Sequence, residues 1–152
     1  MYFSIQNKDL QEILHHKTIE IIAFCIMPNH FHILIKQLKD DGTSSYMHRV
    51  LGGYSRYYNN KYGTTGHIFQ ATYKSVLVKN NIQLLYLTAY IHRNPRSLSL
   101  WYGKELQYEW SSYQDYCGTN RFGELVLFSV ILNQFHLKSA YYSFVESSPA
   151  KE

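Results

Sequence analysis

Two apolar runs rich in β-branched residues, Ile19 to Ile26 and His30 to Lys36, flank Pro28-Asn29 and constrain this chain more than any other feature. Their residue types suit a pleated, half-buried surface, and Pro28-Asn29 breaks them apart, so they predict an antiparallel hairpin. Side chains alternate along a strand, which puts His30 and His32 on one face and Phe31, Ile33 and Ile35 on the other. Two imidazoles on one rigid face can hold a divalent metal with little ordering entropy. The competing reading is a hydrogen-bonded pair on a half-buried sheet. A chemical site needs a third ligand and a reacting group to meet them.

With 152 residues and 45% hydrophobic content, the chain is long and apolar enough to bury a core as one unit. No apolar run approaches the roughly 20 residues of a membrane span, and the start lacks a signal-peptide pattern. A cytoplasmic protein with no membrane partner is expected. Cys25 and Cys117 are expected to be reduced thiols. The net charge of +4 leans towards a polyanionic partner. Fifteen tyrosines and eight phenylalanines interleave with cations, as in Tyr54-Ser55-Arg56-Tyr57-Tyr58 and Tyr73-Lys74. Single-stranded nucleic acid is gripped by that combination of charge and rings, although many of these rings must fill the core.

Along the chain, Met1 to Gln6 reads as a short strand, and Asn7 or Asp9 caps a helix to about His15. The hairpin follows. Asp40-Asp41-Gly42 is a turn, and Thr43 or Ser44 caps a helix to about Tyr62, with Met47, Val50, Leu51, Tyr54 and Tyr58 at core spacing. Gly52-Gly53 inside it costs about 1 kcal/mol per residue against Ala, which close packing on the sheet or on DNA would explain. Tyr73 to Val78 reads as a strand. Asn80 or Asn81 caps a helix to about Arg93, stopped by Pro95. Helical stretches are expected at 123–133 and 140–146. This order predicts an α+β fold, a ferredoxin-like split βαβ sandwich: a mostly antiparallel sheet with helices on one face.

On the helix before Pro95, Tyr90 and Asn94 are four residues apart and share a face. Spacing alone does not separate Tyr90 from a core tyrosine, and Tyr73 or Tyr86 would serve equally on composition.

The ordered blocks MPNHFHILI, GGYSRYYNNKYG, GHIFQATYKSVLV, YIHRNP and WSSY, between Ile19 and Tyr116, resemble the REP-associated tyrosine transposases. These sit among the single-tyrosine, IS200-like transposases of the HUH superfamily. The resemblance implies that His30 and His32, with Phe31 between them, are the metal-binding pair, that Tyr90 is the nucleophile, and that Asn94 completes the site. It implies Mg²⁺ or Mn²⁺ as cofactor and single-stranded DNA bearing hairpins as partner. Cleavage would run through a 5′-phosphotyrosine intermediate that a second 3′-hydroxyl reverses, giving DNA transposition. A neutral phenol is a poor nucleophile and a phosphodiester a poor electrophile, so a metal with open positions fits that chemistry. Lys36, Arg49, Arg56, His67, Lys74, Arg93 and Arg96 are candidate DNA contacts. His92 faces elsewhere than Tyr90 and is left out of the metal site. Trp110 and Tyr113 are expected to pack the C-terminal segment on the core. The transposase-like domain is read as 1–118 and a C-terminal helical extension as 119–152.

Three departures from the family bear on activity. Relatives begin with an additional central strand and a loop ending in Arg-Gly, where this chain offers only Met1 to Gln6. Thr72 stands where a basic residue is usual, and Arg96-Ser97 follows Asn94-Pro95 where an apolar residue and Arg are usual. A DNA-nicking enzyme and a domesticated or truncated hairpin-binding module without turnover therefore both remain open, as do monomer and homodimer. A His-x-His metal hydrolase would need further carboxylates.

Overall fold

The computed structural model describes residues 12, 14–70 and 72–149. The strand read at Met1–Gln6 lies outside them, as does most of the first helix, of which Glu12, Leu14 and His15 are helical. The hairpin forms as expected, from β1 (Ile19–Ile26) and antiparallel β2 (Phe31–Gln37). The Met27 amide donates to the His30 carbonyl at 2.8 Å and closes the turn. Ala23 pairs with Leu34, Cys25 with His32 and Ile26 with Phe31, while Ile22 sits in a bulge. Cross-strand partners share a face, so Ala23, Cys25, His32 and Leu34 look one way, and Phe31 and Ile26 the other.

The far edge of β1 is paired by irregular chain from downstream. The Ile26 amide donates to the Trp110 carbonyl at 2.8 Å, Ser112 to Phe24 at 3.0 Å and Leu127 to Ile21 at 2.7 Å. No strand pairs with the outer edge of β2 among the described residues. The strand read at Tyr73–Val78 does not form: 72–79 has no regular structure, and Val76 and Leu77 are 80% and 79% exposed. A strand persists only where a neighbour takes its N–H and C=O groups, and no described edge reaches this one. The mixed α+β class holds, with two strands and five helices among the described residues. The further strands of a split βαβ sandwich are not among them.

Helix α1 (Gly42–Tyr62) starts a little earlier than Thr43 or Ser44 capping would give. Its first flanking residue is Asp41 in the left-handed region, φ 54°, with no side-chain cap. Thr43 instead lies in the first turn, where its amide and hydroxyl both donate to Gln37 Oε1, at 3.2 and 2.7 Å. Gly42 is required by contact, because a Cβ there would lie 2.4 Å from the Thr18 carbonyl oxygen. Of the predicted apolar stripe only Met47 is buried; Val50 and Tyr54 are 42% and 48% exposed. The two strands among the described residues are too narrow to cover the rest.

Helix α2 (Asn81–Arg93) is capped as read, with Asn80 Oδ1 accepting from the Gln83 amide at 2.9 Å. A 3₁₀ turn, Asn94–Ser97, carries Pro95. Further on come α3 (Tyr113–Cys117), α4 (Ser129–Leu132) and α5 (Lys138–Ser147). The helix expected over 123–133 is thus broken into a 3₁₀ turn at 123–125 and α4, because Val126 and Leu127 serve β1 instead.

Tyrosine builds much of the core. Tyr113, Tyr116 and Tyr141 are fully buried with Ile131 and Val145, in one cluster with Ala23, Cys25, Leu34, Ala89 and Ile91. Their phenols are satisfied, as burial demands: Tyr116 donates to the Ile22 carbonyl at 2.9 Å. Tyr113 packs as expected, but Trp110 is 61% exposed and does not. Its segment is held through backbone pairing with β1, which leaves the indole outside. Cys25 and Cys117 are unbridged, and burial pushes their thiols up, to about 12 and about 11.

Ring contacts place the helices on the sheet. His32 meets Tyr90 of α2, with centroids 5.4 Å apart, whereas Phe31 meets Phe69 at 6.5 Å, which in turn meets Tyr54 of α1 at 5.9 Å. Adjacent strand residues point to opposite faces. The helices therefore flank the hairpin on both faces, not on one as predicted, since both of its faces are apolar.

Candidate active site

His30 sits at the mouth of β2 and His32 one pleat further in. Their rings lie 5.0 Å apart, nearly perpendicular. His30 Nδ1 is 2.7 Å from Asn29 Oδ1, a contact that orients the ring and leaves its other nitrogen outward. Helix α2 brings Tyr90 edge-on to His32 at 5.4 Å and 81°. One turn on, Asn94 turns its amide nitrogen back to donate to the Tyr90 carbonyl at 2.9 Å, and its side chain also hydrogen-bonds His32, which brings Oδ1 to the histidine face. All four residues singled out in the sequence meet at one end of the hairpin.

Electrostatics at His32 suits a ligand. Burial lowers its pKa, the neighbouring His30 lowers it further, and the Asn94 side chain acts in the opposite direction. The imidazole is thereby kept neutral, as metal binding requires. Two imidazoles and an amide oxygen are a neutral N,N,O donor set that fits a divalent ion. Imidazole favours Mn²⁺ over Mg²⁺ there. Among the described residues no group of three His, Cys, Asp or Glu could hold a metal, so a metal held by this pair would draw its further ligands from an amide, a phosphate or water.

The tyrosine helix is rigidly mounted. Thr88, Ala89, Ile91 and His92 are buried, which leaves Tyr90 between the core and the histidine face. His92 points away from the metal pair, as read: its Nε2 lies 2.9 Å from Ser112 Oγ and its Nδ1 2.7 Å from Tyr141 Oη. Ser112 Oγ also accepts from the Phe24 amide at 3.0 Å, joining α2 to β1. Ser112 and Tyr141 were not legible as site supports. The only signal for Ser112 was its place in the WSSY block.

The candidate DNA contacts separate cleanly. Arg93 donates to the Ser148 carbonyl, and Arg96 pairs with Glu105 and Glu146. Both are engaged within the protein, because α5 packs against the end of α2 where the sequence suggested open surface. Lys36 pairs with Glu20 at 3.4 Å. Arg49, Arg56, His67 and Lys74 are exposed, and none of these four has an acidic partner among the described residues.

The structure thus sets a strand-borne histidine pair against a helix-borne tyrosine. The protein-family model described as "Transposase IS200 like" matches residues 6–94, more than half of the chain and inclusive of His30, His32, Tyr90 and Asn94. The chain belongs to the IS200-like transposase family. No curated protein and no solved structure matches it. No helix among the described residues is long and apolar enough to cross a membrane.

Proposed function

We propose that this chain is a REP-associated tyrosine transposase of the HUH group. In this reading it nicks and rejoins hairpin-bearing single-stranded DNA through a phosphotyrosine at Tyr90. The observation that carries the reading is the edge-on approach of Tyr90 to His32 with Asn94 one turn away. His30, His32 and Asn94 Oδ1 would hold Mn²⁺ or Mg²⁺, which supplies charge neutralisation at a non-bridging phosphate oxygen. Tyr90, presented by a helix whose opposite side is buried, is positioned for in-line attack with little reorganisation. Its oxygen bonds to phosphorus as the 3′-oxygen of the upstream strand leaves and gains a proton. The phosphoester survives as a 5′-phosphotyrosine, so the reverse step on a second 3′-hydroxyl needs no nucleotide cofactor.

A denaturing gel tests this directly. Protein mixed with Mn²⁺ and a hairpin-bearing single-stranded oligonucleotide should yield a covalent adduct that is absent with Tyr90→Phe and His30→Ala. A second reading, a hairpin-binding module without turnover, is favoured by the irregular 72–79 segment and by a β2 edge that has no strand partner among the described residues. Retained binding with no adduct in the wild type would select it.

A further inference from the structure

The outward side of α1 has a surface that no contact among the described residues explains. Gly52 and Gly53 lie in the middle of a 21-residue helix, both exposed, and a Cβ on either would meet nothing within 4 Å. Together they cost the helix about 2 kcal/mol against alanine. Packing on the sheet does not require them, since Met47 faces the protein from another side of the helix. Helical periodicity aligns Arg49, Gly53, Arg56 and Asn60 on one stripe, and all four are exposed. Arg49 stands three residues before the glycine pair and Arg56 three after it. Neither has an acidic partner among the described residues. The whole of α1 carries no Asp or Glu.

Two guanidinium groups therefore flank a stretch of bare helix backbone: Arg56, and Arg49 at the rim of the groove it shares with Glu20 and Glu124, neither of them paired among the described residues. Seven residues of helix rise about 10 Å, enough to set the two guanidinium groups on separate phosphates of one strand. Guanidinium groups suit phosphate by their planar fork of donors. A membrane surface fits poorly, because interfacial helices bury bulky apolar side chains on the bound side, and the centre of this stripe has none.

We propose that the outward face of α1 docks the phosphate backbone of a DNA hairpin stem, with Arg49 and Arg56 on phosphates and the strand passing closely over Gly52-Gly53. This rests on hairpin DNA being the substrate. The face lies across the hairpin sheet from His32, so it anchors the stem and leaves the chemistry at Tyr90 untouched. Sequence is not read here, because phosphates carry none.

The test is equilibrium binding of a fluorescent hairpin oligonucleotide between ~50 and ~200 mM salt. It compares the wild type, the double variant Arg49→Ala/Arg56→Ala, and Gly53→Gln. The double variant should lose about tenfold or more in affinity, and its log–log salt slope should flatten by about 2, near 0.9 per lost phosphate contact. Gly53→Gln should melt higher than the wild type, since the helix gains propensity, yet bind the hairpin several-fold more weakly. An unchanged slope in the double variant overturns the proposal. So does Gly53→Gln binding as the wild type does, or arginine-dependent binding to anionic phospholipid vesicles in place of the hairpin. Adduct formation on a short unpaired oligonucleotide, read in parallel, reports on Tyr90 alone. Arginine-dependent hairpin binding without any adduct would support the surface while sinking the nuclease.

Discussion

His92 on the tyrosine helix and Tyr141 on the C-terminal helix share a buried contact, 2.7 Å between Nδ1 and the phenol oxygen. Both side chains are 0% exposed. Through it α5 grips the turn of α2 that carries Tyr90, and Arg96 to Glu146 adds a second tie one turn further on. Tyr141→Phe keeps the ring but leaves His92 Nδ1 buried without that partner, which costs about 1–3 kcal/mol. Urea unfolding should show a lower midpoint with an unchanged slope. A midpoint equal to the wild type would mean that α5 holds α2 by apolar packing alone.

The glycines of α1 should respond in opposite directions. At Gly42 a methyl group would press on the Thr18 carbonyl oxygen at 2.4 Å, and the neighbour is backbone that cannot swing aside. Gly42→Ala should therefore destabilise, by about 1–3 kcal/mol as in overpacked sites. At Gly53 no described residue stands in the way, and Gly53→Ala should stabilise by about 1 kcal/mol. Thermal melts of the two variants should fall on either side of the wild type; a Gly53→Ala melt below it would reveal an unseen neighbour.

What the sequence disclosed, and what it hid, follows from how local each feature is. The β1–β2 hairpin and the Asn80 cap depend on short spacings and residue types and were legible, whereas Tyr90 stood out from the other tyrosines only through the family resemblance, because its approach to His32 spans 58 residues of chain. The strand expected at Tyr73–Val78 failed because strand formation depends on a partner edge, which no local pattern reports. Arg93 and Arg96 looked like free cations because their partners, Ser148 and Glu146, come from a helix about 50 residues away in sequence. The exposure of Val50 and Tyr54 has the same origin: their spacing suited a core, but the width of the sheet beneath them decides burial. At Gly52-Gly53 the sequence left sheet and DNA as alternatives, and the open space around both glycines among the described residues argues against the sheet.

Glu105 is 2% exposed and takes its charge partner from Arg96, which also reaches Glu146 at 3.1 Å. Burial works to raise the Glu105 pKa, but the Arg96 hydrogen bond and the Gly103 amide overcome it and hold it below the usual value. Removing Arg96 strands a buried carboxylate, whereas removing Glu146 leaves Arg96 still paired. Arg96→Ala should cost about 3 kcal/mol or more, and Glu146→Ala about 1 kcal/mol or less. Chemical denaturation of both variants decides it, and equal losses would contradict the asymmetry.

His92 also makes stability depend on pH. Full burial lowers its pKa to about 3 from 6.5. Between those values the unfolded chain binds a proton that the folded one refuses, so stability rises with pH. The contribution is whole above pH ~6.5 and is lost progressively as pH falls towards ~3. From pH ~6.5 to ~4.5 the loss amounts to roughly 2–3 kcal/mol. Below that window Glu20 and Glu105, both held under their usual values, begin to lose their own contributions. His32 is lowered too, chiefly by burial, and adds to the same slope with the same sign. Unfolding free energies measured across this window should therefore be compared in a His32→Ala background, with and without His92→Gln. The slope should persist with His92 and vanish without it. A slope that survives His92→Gln would assign the titration to another group and remove His92 as the reason this fold loosens in mild acid.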